Sequence, residues 1–117
     1  MSHNFLIRKI GAQEDIAHIL VPAALDSQTA YDLLERIGML AQMGLSKYII
    51  NLEDAQYISS TGIEILFRLQ KEYHEKYGTV VVTNIPEKIA KTFEKVGALV
   101  LLRVTDSLEH AVEQFVA

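Results

Sequence analysis

With 117 residues, half of them apolar, the chain is long enough for one hydrophobic core and too short for two ordinary domains, so a single domain over residues 1–117 is expected. It has no cysteine, which excludes disulfides and thiolate metal sites, and its formal net charge of −4 disfavours a nucleic-acid surface built from clustered Lys and Arg. No stretch reaches the roughly 18 apolar residues of a membrane span, and Met1-Ser2-His3-Asn4 lacks the basic flank of a secretory signal, so a cytoplasmic protein with neither nucleic acid nor membrane as partner is expected.

Two short apolar runs come first, Phe5 to Ile10 closed by Gly11 and Asp15 to Val21 closed by Pro22; they predict a β-hairpin through Gly11-Ala12-Gln13-Glu14. His18, alone among apolar neighbours, is expected to be a strand residue without a catalytic role. Asp26-Ser27 offers a helix cap, after which Ala30, Leu33, Leu34, Ile37, Leu40 and Ala41 recur at helical spacing up to Gly44. Asp26 serves either as that cap or as part of a binding surface at the strand exit.

Lys47 to Leu52 is nearly continuous in apolar character, as expected of a central strand covered on both faces. A polar break, Glu53 to Gln56, leads to Tyr57-Ile58-Ser59-Ser60-Thr61-Gly62, where a strand gives way to a helix. That helix is expected to bury Ile63, Leu66, Phe67, Tyr73 and Tyr77, with Ile65 and Leu69 widening the stripe, and to expose Gln70, Lys71, Glu72, His74, Glu75 and Lys76. After Gly78, the β-branched run Thr79 to Thr83 predicts another buried strand. Pro86 then opens a helix with an inner stripe of Ile89, Ala90, Phe93 and Val96, stopped by Gly97. Leu99 to Val104 predicts a last strand. Asp106-Ser107-Leu108-Glu109 opens a terminal helix that buries Leu108, Ala111, Val112 and Phe115.

The order β-β-α-β-α-β-α-β-α implies an α/β fold, a mostly parallel sheet with an antiparallel edge strand and about four helices joined by right-handed crossovers. Ligands of such sheets gather outside the carboxyl ends of the strands, here Pro22 to Ser27, Glu53 to Gly62, Asn84 to Pro86, and Thr105-Asp106. Catalytic chemistry finds no support there. A nucleophile elbow needs glycine two residues before its serine, whereas Ile58 precedes Ser60. Glycine-rich phosphate loops are absent, and His3, His18, His74 and His110 do not pair at metal-ligand spacing, so no catalytic residue, metal or cofactor is expected. The hydroxyl-rich turn admits two accounts. It can be a helix cap, through Thr61 with Glu64 as capping-box partner or through Ser59 with Ile58 and Ile63 in staple positions. It can also hold phosphate beside the N–H groups of a first helical turn.

Here the sequence resembles the STAS domains of anti-sigma factor antagonists. Ile58-Ser59-Ser60-Thr61-Gly62 is similar to that family's apolar-Asp/Ser-Ser-small-Gly motif. Leu25-Asp26-Ser27-Gln28-Thr29-Ala30 is similar to its Leu-Asp-x-x-Thr-Ala helix start, and Ile85-Pro86-Glu87 with Phe93 and Gly97 to its third helix. The resemblance implies phosphorylation at Ser60 and a partner surface of Asp26, Ser27, Ser59, Ser60, Thr61, Gly62 and Glu64. It also implies an anti-sigma factor with serine kinase activity as partner, a serine phosphatase that reverses the mark, and no enzymatic activity in this chain. Ser59 stands where the family often has aspartate, Ala23-Ala24 replace a usual Gly-Glu, and Glu64 replaces a glycine or basic residue. A scaffold that is never phosphorylated and a sensor of small ligands or nucleotides are the alternatives. Oligomeric state is not implied.

Overall fold

A computed structural model describes residues 5–73, 79–97 and 102–115 of the chain. The predicted hairpin is β1 (Leu6–Ile10) and β2 (Ile16–Leu20), antiparallel, with Leu6 opposite Leu20 and Ile10 opposite Ile16. Its turn closes through the Glu14 N–H donating to the Gly11 carbonyl at 3.1 Å. β4 (Lys47–Asn51), β6 (Thr79–Thr83) and β7 (Val104–Thr105) extend the sheet in the order β1-β2-β4-β6-β7, every pair after the hairpin being parallel. The α/β class, the central position of the Lys47 run and the antiparallel edge are as the sequence pattern requires.

Two short strands were not expected from the sequence. β3 (Ala24–Leu25) and β5 (Tyr57–Ile58) pair in parallel as a separate ribbon, each directly before a helix, α1 (Ser27–Gln42) and α2 (Ser60–Glu72). α3 (Glu87–Lys95) follows β6, and α4 (Leu108–Glu113) follows β7.

Alternation along the strands sorts their side chains onto two faces. Ala17, Ile19, Tyr48, Ile50, Val80 and Val82 form one core with Leu33 and Ile37 of α1, Leu66 and Leu69 of α2, and Ile89 and Phe93 of α3. The other face, Ile16, Ile49 and Val81, packs on Ala111, with Leu108 and Val112 of α4 and Phe115 just beyond its end partly buried against it. Each fully buried Leu or Ile side chain contributes about 1.5–3 kcal/mol, so the two clusters explain why strands with apolar residues at every position are central. Tyr48 reaches the rim of the core, where its hydroxyl donates to the Leu45 carbonyl, its ring meets Tyr73 edge-on at 5.9 Å, and burial pushes its pKa up to about 12.

Several expectations change. Pro86 is the N-cap residue of α3, with extended backbone, and Val96, expected on the inner stripe, is exposed as the C-cap residue. Gln70, expected on a solvated face, is half-buried because its side-chain oxygen accepts from the Arg103 backbone N–H at 2.9 Å. β7 begins only at Val104, while Leu99 to Leu101 of the expected strand, like His74 to Gly78 of the second helix's end, lie outside the described residues.

Candidate functional site

The ribbon of β3 and β5 draws together the starts of α1 and α2. Leu25 lies opposite Ile58, so Asp26 and Ser59 leave the ribbon side by side. The backbone N–H groups of Gln56 and Tyr57 both donate to the Ala23 carbonyl, at 2.7 and 3.1 Å, and that of Ser59 donates to the Leu25 carbonyl at 3.0 Å. Two segments distant in sequence are thus held by main-chain bonds that no side-chain change removes.

Each helix start is capped by the residue that leaves the ribbon. Asp26 Oδ1 accepts from the Thr29 N–H and from the Thr29 hydroxyl, both at 3.0 Å. Ser59 Oγ accepts from the Gly62 N–H at 3.0 Å and lies 3.4 Å from the Leu25 carbonyl, to which it donates. Ser59 is therefore the N-cap of α2, with Ile58 and Ile63 in the staple positions, and the capping box from Thr61 to Glu64 is not formed. The reason is spatial: the Leu25 carbonyl fixes the Ser59 N–H, which starts the helix two residues earlier than the Thr61 box requires.

Gly62 answers a contact rather than a turn. A Cβ on it would lie 2.5 Å from the Leu25 carbonyl oxygen and 2.9 Å from Ile58 Cγ1, closer than real Cβ atoms approach anything. The first turn of α2 thus rests directly on β3, and Gly62 is buried.

Ser60 occupies the first helical position and is exposed. With the Gly62 N–H bonded to Ser59 and the Ile63 N–H to the Ser59 carbonyl, the orphan donors left in the first turn are those of Ser60 and Thr61. The first turn contains no acidic residue to offset the positive end of the helix dipole, while Lys71 complements its far end. An anion on Ser60 Oγ would meet unpaired N–H groups and a favourable field.

Of the residues expected at the site, Ser27, Ser60 and Glu64 are exposed, Asp26, Ser59 and Thr61 are half-buried, and Gly62 is buried. The ribbon groups Asp26 and Ser27 with the Ser59 turn. Tyr57, not among the expected site residues, is 55% exposed immediately before the turn and offers an aromatic surface there. Its alternation with buried Ile58 was the signal, masked by a strand only two residues long. Among the described residues no group of His, Asp or Glu could hold a metal ion, and no helix is long and apolar enough to cross a membrane.

The cap and the exposed hydroxyl separate by mutation. Ser59→Ala is expected to lower stability by about 1 kcal/mol through the lost cap. Ser60→Ala is expected to stay within about 0.5 kcal/mol of the parent. Urea midpoints of the two variants check the assignment, and a reversed order would contradict it.

Comparison with known proteins places these features in a family. A relative from Staphylococcus aureus strain NCTC 8325, named anti-sigma-B factor antagonist, is 25% identical over 97 residues, covering 83% of this chain and 90% of its own length. Among solved structures, an anti-sigma factor antagonist from Mycobacterium paratuberculosis superposes with a TM-score of 0.77 at 17% identity, covering 95% of this chain and 92% of its own. The Bacillus cell fate determinant SpoIIAA in its phosphorylated form gives 0.69 at 17% identity, covering 95% and 98%. At these identities the two structures share the fold. A family model for the STAS domain matches residues 9–111, and the chain belongs to the STAS domain family.

Proposed function

We propose that this domain is an anti-sigma factor antagonist that binds an anti-sigma factor through the Ser59 turn and the adjoining face of α2, and that phosphorylation of Ser60 switches that binding off. The observation that carries it is the division of labour in the turn: Ser59 caps the helix and is half-buried, while Ser60, one residue on, is exposed beside two unpaired N–H groups. The names of the Staphylococcus relatives and the phosphorylated form of a protein with this fold support the same assignment. Asp26, Ser27, Thr61 and Glu64 flank the contact. Gly62 contributes by letting the turn sit on β3.

The domain acts as ligand and kinase substrate, with no chemistry of its own. The anti-sigma factor supplies the serine kinase, and a serine phosphatase restores the unmodified form. The phosphate adds close to two negative charges and three acceptor oxygens to the middle of the contact. Incubation with the cognate anti-sigma kinase and ATP, followed by mass spectrometry, tests the site. One phosphate on Ser60, absent from Ser60→Ala, is expected; phosphate on Ser59 or Thr61 instead would contradict it.

A further inference from the structure

Beneath the connection that leads to Ser60, on the α4 side of the sheet, a polar cluster surrounds one buried asparagine; His18 and Asn84 are half-buried and Glu53 is exposed. Asn51 ends β4 and is 1% exposed. Its Oδ1 accepts from the Glu53 backbone N–H at 2.9 Å and from Asn84 Nδ2 at 3.4 Å. Its Nδ2 donates to Glu53 Oε1 at 3.1 Å and lies 3.1 Å from His18 Nε2. A backbone N–H can only donate, so the Glu53 contact fixes which amide atom is the oxygen. Nδ2 has two hydrogens, one for Glu53 and one for His18. His18 Nε2 is then an acceptor, and the ring carries its proton on Nδ1.

We infer that Asn51 is a positioning residue for the connection into the Ser60 turn, and that a proton on His18 loosens that hold and shifts the turn while the main-chain bonds of the ribbon persist. Protonated His18 presents N–H to N–H across the 3.1 Å contact. Flipping the amide would offer Oδ1 to the ring but turn Nδ2 toward the Glu53 N–H, losing the 2.9 Å bond. No orientation satisfies both neighbours, so protonation loosens Asn51 from His18 or Glu53 from Asn51. Glu53 opens the connection that runs through buried Ala55, whose N–H donates to the Leu52 carbonyl, to Tyr57 and the Ser59 cap. A shift at Glu53 is passed to the turn along that short path.

The surroundings allow the proton in. A cavity of about 210 Å³ lined by Leu6, Arg8, His18 and Leu20 adjoins the ring. Burial lowers the His18 pKa below its ordinary 6.5, Glu53 from the connection raises it, and Arg8, opposite on β1, lowers it. At the far end of β2 and β4, Asp15 and Lys47 pair with each other at 2.7 Å. α4, packed on neighbouring Ile16 and Ile49, carries Glu109, His110 and Glu113, all exposed. The neutral ring is favoured in the fold, so the brace is complete above pH 6.5 and is lost as pH falls below it through the folded-state pKa.

Any consequence for partner affinity rests on the function proposed above; the response of the turn does not, and it is measured on the free chain. Amide and histidine-ring resonances are followed by NMR from pH 7.5 to 5. The Tyr57 to Gly62 amides are expected to shift with the midpoint of the His18 ring, and the shift to vanish in His18→Gln, which keeps a neutral acceptor. In Asn51→Asp the carboxylate accepts from both neighbours, so the His18 midpoint should move upward. Turn amides that stay fixed while His18 titrates, a shift that survives in His18→Gln, or an unmoved midpoint in Asn51→Asp would each overturn the inference. If His18→Gln does not fold, the ring midpoint and turn amides of the parent and of Asn51→Asp decide alone. Should the turn respond while partner affinity does not depend on pH, the brace stands and the proposed contact surface fails.

Discussion

Gly62→Ala is expected to destabilise the protein by about 1–3 kcal/mol, although alanine is the better helix former. In an open helix the exchange would gain roughly 0.5–1 kcal/mol. Here the new methyl would meet the Leu25 carbonyl oxygen at 2.5 Å, a main-chain atom held by the Ser59 N–H and by pairing of β3 with β5. A flexible side chain could turn aside; this carbonyl cannot without opening the ribbon. Steric cost therefore outweighs propensity. Gly38 in α1 is the control, because a Cβ there meets only the Tyr73 hydroxyl at 3.6 Å, ordinary contact. Gly38→Ala should stabilise by roughly 0.5–1 kcal/mol. Urea unfolding of both variants reads the contrast, and a stabilised Gly62→Ala would show that the first turn of α2 does not rest on β3.

Phosphorylation of Ser60 is expected to weaken anti-sigma factor binding by about 100-fold or more, roughly 2.8 kcal/mol, while leaving the fold intact. The two effects differ because the phosphate meets different surroundings in the free and bound states. In the free domain it lies at the first position of α2, beside the unpaired N–H groups of Ser60 and Thr61, where a surface anion gains about 0.3–1 kcal/mol. In a complex formed through this turn it would be buried against a surface that otherwise meets a hydroxyl, where desolvation and displaced contacts would act together. The proposed switch would thus operate on binding. Thermal unfolding of the phosphorylated domain should give a midpoint equal to or slightly above that of the unmodified one.

Much of this arrangement was legible in the sequence, for identifiable reasons. Long periodic segments such as Ala30 to Ala41 and Ile63 to Leu69 carry their inner face in their spacing, and β-branched Thr79 to Thr83 could hardly be anything but a buried strand. The hydroxyl cluster stood out because no other strand exit held one, and its resemblance to a family motif is what puts Ser60 forward in the proposed switch. Two-residue strands have no period to detect, so β3 and β5 were invisible, and with them the contact that decides between Ser59 and Thr61 as cap. Gly62 was expected as part of the turn, but its need for a missing Cβ depends on Leu25, far away in sequence. Asn51 sat within an apolar run, and only the folded sheet brings His18 and Asn84 to it. Gln70 was expected at the surface for the same reason: its partner, the Arg103 N–H, comes from another element.

The central claim is that one exposed hydroxyl controls whether this domain holds its partner. Calorimetric titration of the cognate anti-sigma factor with the unmodified domain and with the domain phosphorylated on Ser60 tests it most directly. Saturable binding by the unmodified form and affinity lower by about 100-fold in the phosphorylated form is the predicted result. Equal affinity of the two forms would contradict it.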